Sequence, residues 1–291
     1  MFLMLLIVLT IVFFIFALNS NKTSETSSDK IQITTSFYPL YFFASTITAD
    51  KANVVNITPA GAEPHDYEPT TDDILKINNS KLLILNGQVE PWANKIRSEI
   101  SNKNTIILEV GDGLLSQNDP HIWLSPVIAK QIVQKISDQI ISIDPSNEVL
   151  YKENTNKLED DLDKLNLDYK IGLGNCTKTD IVTSHAAFSY LASAYGFKQI
   201  AIAGLSPDAE PSLKDLTTVS SFAKQNNIKY IFFESLVSPK LAQTIANEVG
   251  AKTLVLNPLE GLTNNDIKSG MTYLTVMEEN LQNLRIALDC K

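Results

Sequence analysis

The sequence predicts an α/β protein made of two sandwich domains, each on a parallel four-stranded sheet, joined by one long backbone helix. Three observations carry that expectation. The chain has 291 residues, more than a single core usually holds, so two domains of about 100–150 residues are the default. Short apolar runs of strand type alternate with helix-like segments, and the alternation occurs twice, once before His121 and once after residue 174. This is the pattern of parallel sheets with crossover helices. Between the two halves lies a stretch with strongly charged sides, too solvated for a core helix.

Taken in order, residues 1–18 (MFLMLLIVLTIVFFIFAL) are apolar except for Thr10. No Lys or Arg precedes the run, no A-x-A site follows it, and no cysteine stands after it for lipid attachment. It is read as an N-terminal membrane anchor, with a cleaved signal peptide as the alternative; either way the folded part is exported. Residues 19–30 form a polar Ser/Thr-rich tether. A strand at 31–36 leads to a helix at 38–49, where Pro39 sits in the first turn and its missing N–H costs nothing. A strand at 54–58 runs into the loop around His65. A helix opens at Thr71, with Asp72 and Asp73 favourably placed in its first turn. Apolar strands follow at 81–86 and 105–110, with a helix at 92–100 between them.

A helix at 127–143 is broken by Asp144-Pro145, and one long helix is expected over 146–173. The second half has strands at 180–184, 199–203, 230–234 and 252–256. Helices are expected at 186–195, 212–226, 239–249 and 266–288. The expected division is an N-terminal domain at 31–145, a linking helix at 146–174 and a C-terminal domain at 175–291.

Composition excludes one class of partner. With 24 Lys and Arg against 33 Asp and Glu, the net charge is −9. Phosphate binding needs clustered cations, so nucleic acid is not expected as a partner. The two cysteines, Cys176 and Cys290, lie in an exported chain, where a disulfide between them would tie the tail onto the last domain; the alternative is two free thiols. Neither has a cysteine or histidine close by in sequence to make a metal site.

The chain has three histidines, and each stands in a short polar loop crowded by Pro or small residues. His65 lies in EPHDYEP, His121 in DPHIWLSP and His185 in VTSHAAF. Open parallel sheets form their sites beyond the carboxyl ends of strands, where all three loops fall. Neutral imidazole suits zinc and its neighbours, and three His with one carboxylate complete a tetrahedron. Glu260 in NPLEGLT is the candidate fourth ligand, with Glu63, Asp66, Glu210 and Glu234 competing. Taken singly, each histidine reads more readily as a hydrogen-bonded or surface residue, and the spacings match no local zinc motif. Trp123 and Phe188 are candidates to wall the site, with ordinary core packing as the alternative. Ser184 or Glu210 could hold the second ring nitrogen of a ligand.

Five ordered stretches, G-x-EPHDYEPT, DPHIWLSP, VTSHAAFSYLA, DAEPS and LNPLEGLT, resemble the metal-specific solute-binding proteins of ABC importers. These are the zinc- and manganese-uptake binding proteins of the cluster 9 (A-I) class, and the resemblance covers residues 31–291. It implies two (β/α) domains joined by a long rigid helix, a metal in the cleft between them, and docking of the loaded protein on a membrane permease. Carried over by position, it implies that His65, His121 and His185 are imidazole ligands and Glu260 the carboxylate. Manganese members carry a carboxylate where this chain has His185, and an Asp in the last loop, so zinc is expected, with manganese the alternative. Many zinc members have a His- and acid-rich loop before the second ligand; here residues 111–119 contain no histidine. The expected protein is a monomeric receptor and not an enzyme. A metal-binding adhesin and a zinc hydrolase are the other classes, the second disfavoured because a full set of three His and one Glu leaves no open position.

Overall fold

The computed structural model describes residues 30–100, 104–116 and 119–291. The expected anchor at 1–18 and the tether up to residue 29 lie outside the described residues. Among the described residues, no helix is long and apolar enough to cross a membrane.

The first half runs β1 (Ile31–Thr35), α1 (Tyr38–Thr48), β2 (Ala52–Asn56), α2 (Thr71–Asn79), β3 (Leu82–Leu85), α3 (Ala93–Glu99) and β4 (Ile106–Glu109). Its four strands are all parallel in the order β2-β1-β3-β4. The run LLIL of β3 is buried at every position, as a strand covered on both faces must be. A 3-10 turn at Ile122–Leu124 leads to α4 (Pro126–Ile143), and a second one at Pro145–Asn147 to α5 (Glu148–Leu173). The second half repeats the plan: β5 (Asp180–Thr183), α6 (Ser189–Tyr195), β6 (Lys198–Ala201), α7 (Leu213–Gln225), β7 (Tyr230–Phe233), α8 (Lys240–Val249) and β8 (Lys252–Val255). The sheet order is again the same, β6-β5-β7-β8, all parallel. Two helices close the chain, α9 (Asn264–Lys268) and α10 (Tyr273–Ala287).

The long helix α5 owes its place to one stripe. Tyr151, Thr155, Leu158, Leu162, Leu165, Tyr169 and Leu173 recur every three or four residues and are its buried positions. That face packs on α1 and α4 of the first half and on α10 of the second, and Tyr169 Oη donates to the Met277 carbonyl at 2.7 Å. The apolar core runs without a break from β1 through α5 to α10, and Ile31–Lys291 form one compact unit. Cys176 and Cys290 are bonded, closing a separation of 114 residues and fixing the tail beside the end of α5.

Among the boundaries that differ from expectation, three have a local cause on view. β2 begins two residues early, because Ile31 pairs with Ala52 and Thr35 with Asn56; Ile57 and Thr58 then donate to the Thr35 and Ser36 carbonyls past the strand's end. Helix α6 starts at Ser189 rather than at 186. The Gln199 side chain holds the His185 carbonyl and the Phe188 N–H, keeping the intervening turn out of the helix. The expected helix over 266–288 is two helices. Gly270 takes φ of 77°, a left-handed turn that ends α9, and Thr272 with Thr275 caps α10 anew.

Candidate metal centre

Each of the four expected ligands leaves the carboxyl end of a strand. His65 lies in the long loop after β2, His121 in the turn after β4, His185 directly after β5 and Glu260 after β8. The two sheets, facing through these loops, bring the four side chains together. Their donor atoms all lie within 4.8 Å of one another. Glu260 Oε1 is 3.1 Å from His65 Nε2, 3.1 Å from His121 Nε2 and 3.3 Å from His185 Nε2. The Nε2 atoms of His121 and His185 are 3.3 Å apart. A tetrahedral ion with bonds of about 2.0–2.1 Å needs donor–donor edges of about 3.3 Å. His121 and His185 are wholly buried and Glu260 is 1% exposed; the His65 side chain, at 10%, is the one reached by solvent.

The outer contacts decide what this cluster can hold. His121 Nδ1 lies 2.7 Å from Asp119 Oδ1, and His185 Nδ1 lies 2.6 Å from Glu234 Oε1. A carboxylate on Nδ1 fixes the tautomer with the proton there, leaving Nε2 as a lone pair. Two such lone pairs then point at each other and at a carboxylate oxygen, which is repulsive unless a cation stands between them. Glu260 Oε2 is also buried without a hydrogen-bond partner, a cost that a bound cation would offset. The protein alone can relieve the repulsion only with protons. Burial opposes charging of His121, but Asp119 and Glu260 outweigh it and raise its pKa. Burial likewise opposes charging of His185, yet Glu260 and Glu234 hold its pKa well above the ordinary value. Burial would raise Glu260, but His185, His121 and His65 hold it well below the usual carboxylate range. The residues present therefore fit a divalent cation of the borderline-soft class that favours imidazole.

The loops are built for this placement. Thr70 and Asp73 form a reciprocal cap on α2, and Tyr67 Oη donates to Asp73 Oδ2 at 2.6 Å, so the His65 loop is moored to that helix. Leu259, next to Glu260, takes φ of 58°, a left-handed backbone that costs a non-glycine residue roughly 1–2 kcal/mol. Asn257 Oδ1 accepts from Leu259 N at 2.8 Å and Asn280 brackets Asn257, which holds the turn in place. A Cβ on Gly261 would come within 3.1 Å of Leu236 and 3.4 Å of the Ala62 carbonyl; the two ligand loops close here, with Gly61 N donating to the Leu262 carbonyl.

The competing carboxylates sort by position. Glu234 holds a ring nitrogen and does not reach the centre. Glu63 is half-buried beside Glu260, and desolvation with the neighbouring charge pushes its carboxyl up to about 9. Asp66 is exposed and its carboxyl meets that of Asp208. Glu210 is exposed. Trp123 is fully buried with its ring 5.2 Å from His121, centroid to centroid, and its Nε1–H donates to the Pro258 carbonyl at 2.8 Å. Phe188 is fully buried in the core.

Neither Ser184 nor Glu210 holds a ring nitrogen. The Ser184 hydroxyl is spent on the Phe232 carbonyl, and Glu210 points to solvent. Asp119 and Glu234 do that work instead. A signal existed for Asp119, which stands two residues before its histidine in DPH and also accepts His121 N at 3.0 Å. Glu234 lies 49 residues from His185, and only the pairing of β5 with β7 brings them together.

Comparison with known proteins agrees with this geometry. The family described as zinc-uptake complex component A, periplasmic (ZnuA), matches residues 33–287. The high-affinity zinc uptake system protein ZnuA of Bacillus subtilis is 37% identical over 295 residues, covering 93% of this chain and 91% of that protein. The zinc-binding lipoprotein AdcA of Streptococcus pneumoniae is 38% identical over 297 residues; the match covers 95% of this chain and 59% of AdcA. Among solved structures, the Zn(II)-bound ZnuA-like domain of that AdcA superposes with a TM-score of 0.80 at 40% identity, covering 89% of this chain and 99% of that one. The laminin-binding protein Lmb of Streptococcus agalactiae, described as an adhesin with metal transporting activity, gives 0.82 at 31% identity, covering 89% and 99%.

Proposed function

The chain belongs to the ZnuA family of periplasmic zinc-uptake components, and from that membership we propose that it is an extracytoplasmic receptor that binds zinc with high affinity and delivers it to an ABC importer permease. The observation that carries the reading is Glu260 Oε1 standing 3.1–3.3 Å from three imidazole Nε2 atoms, with all four donors within 4.8 Å of one another. His65, His121, His185 and Glu260 are the four zinc ligands. Zinc is favoured over manganese because three imidazoles and one carboxylate form a compact tetrahedral set, and because imidazole binds zinc more tightly. The protein is not an enzyme: the ion is cargo, and four protein donors leave no position for a reacting water. It acts as a monomer on the outer side of a membrane, tethered through residues 1–30, with halves at 31–145 and 175–291 joined by the helix at 146–174. A second role in adhesion is suggested by laminin-binding relatives such as Lmb.

The test is metal content and competition on the purified full chain, stripped and then offered equimolar zinc and manganese. One equivalent of zinc in the wild type, lost or much weakened in His185→Ala, is the expected result. Retention of manganese over zinc would overturn the ligand assignment, and no stoichiometric metal would overturn the receptor reading.

A further inference from the structure

By sequence the turn carrying His121 belongs to the first half, yet much of its hydrogen bonding runs to the second. Tyr190 Oη, in the first turn of α6, accepts from Ser116 N at 2.7 Å and lies 3.1 Å from the carbonyls of both Ser116 and Asp119. Its neighbour Ser189 donates through Oγ to Asp119 Oδ2. The other oxygen of that carboxylate, Oδ1, holds His121 at both Nδ1 and the backbone N–H. Asp119 is therefore shared between a ligand ring of the first half and a hydroxyl of the second. The segment 185–190 both supplies one ligand, His185, and grips the support of another. On the first-half side, the same turn is held by Asn86 Nδ2 donating to the Pro120 carbonyl at 3.1 Å.

We propose that Ser189 and Tyr190 are positioning residues of the ion site: they lock Asp119, and through it His121, against the second half, and so set how fast bound zinc is released. The proposal rests on the zinc-receptor reading above. An ion leaves when a donor swings away from it. His121 can swing only if its bond to Asp119 breaks or if Asp119 turns with it, and Asp119 cannot turn while Ser189 and Tyr190 hold its carboxylate and its carbonyl. Removing either hydroxyl leaves all four ligands in place, so one zinc still binds. A partner bonded directly to a ligand ring, as Asp119 is to His121, is typically worth about 10–100-fold in metal affinity, and the two hydroxyls act through that partner. Here the change falls on dissociation, because these bonds hold the assembled ligand set and encounter is set by diffusion.

The experiment loads the full chain with zinc, mixes it with excess chromophoric chelator and follows release. It compares wild type, Ser189→Ala, Tyr190→Phe, the double variant and Ser189→Thr. Tyr195→Phe is the control, since it removes a hydroxyl of the same helix that bonds Asn166 on the linking helix α5 and not the turn carrying His121. The thermal midpoint of each metal-free protein is measured in parallel. We expect one zinc in every variant and release about tenfold faster or more in Ser189→Ala and Tyr190→Phe. Metal-free midpoints should be unchanged, Ser189→Thr should return to the wild-type rate, and Tyr195→Phe should release at that rate too. Release in the double variant within about twofold of wild type would overturn the latch alone, since outer contacts act on a larger scale. Faster release that tracks a lowered metal-free midpoint, or that Tyr195→Phe reproduces, would also overturn it. A wild-type chain that takes up no zinc would overturn both the latch and the receptor reading.

Discussion

Glu234→Gln removes one charge from the centre while keeping the shape of the side chain. Glu234 Oε1 lies 2.6 Å from His185 Nδ1, and both side chains are almost wholly buried. A hydrogen bond to a charged partner contributes about 1.5–3 kcal/mol, and a neutral one about 0.5–1.5 kcal/mol. The glutamine carbonyl can still accept from Nδ1–H, so the exchange should cost about 1–1.5 kcal/mol of zinc binding, or roughly tenfold in Kd. That agrees with the lower end of what outer carboxylates usually contribute to a metal site. Glu234→Ala would leave Nδ1–H buried without a partner and should cost more, toward a hundredfold. The assay is competition for zinc against a chelator of known affinity, with metal content measured at saturation. Binding by Glu234→Gln within about twofold of wild type would refute the claim that this carboxylate tunes the ring. Loss of stoichiometric zinc at saturating metal would refute it differently, by making Glu234 a ligand.

Two further outcomes follow from the fold. Burial pushes the Asp73 carboxyl up, but donors from Tyr67, Thr70 and Lys76 outweigh it and hold it below its ordinary value of 3.8. Its folded pKa is thus depressed, so its contribution to stability is present above pH 3.8 and is lost as pH falls through the lower folded value. Asp73→Asn should therefore cost about 1 kcal/mol at pH 7, and its deficit against wild type in urea midpoints should shrink near pH 3; a deficit constant with pH would contradict the assignment. The Cys176–Cys290 bridge spans 114 residues, worth about 4–5 kcal/mol in the chain-entropy account. Cys176→Ser with Cys290→Ser should lower the calorimetric midpoint by roughly 10–20 °C and leave one zinc bound; a drop of under about 3 °C would show that the bridge adds little to the packing of α10 on α5.

Periodicity made most of the scaffold legible. Strands such as LLIL are apolar without interruption because parallel strands are covered on both faces, and α5 declares its stripe every three or four residues. Boundaries were legible where a residue's own backbone preference settles them, as at Pro39 in the first turn of α1 and at Asp144-Pro145, which ends α4. They were missed where a distant partner settles them, as with Gln199 reaching across to the His185 turn, and where Gly270 ends a helix inside an otherwise helical run.

At the site the division is the same. By itself the sequence offered the candidate donors, three imidazoles in rigid loops after strands and several competing carboxylates, since residue type and local backbone preference are written along the chain; the order of the five loop motifs pointed to Glu260 among them. Only the tertiary structure decided which atoms meet and what holds them. Glu234 reaches His185 because β5 and β7 pair, the Glu63 carboxyl is pushed up because it packs beside Glu260, and Asp119 is gripped by Ser189 because the two halves close on each other. Those are properties of pairs far apart in the chain, and hydrogen bonds and pKa shifts depend on distance in space, which no local pattern encodes.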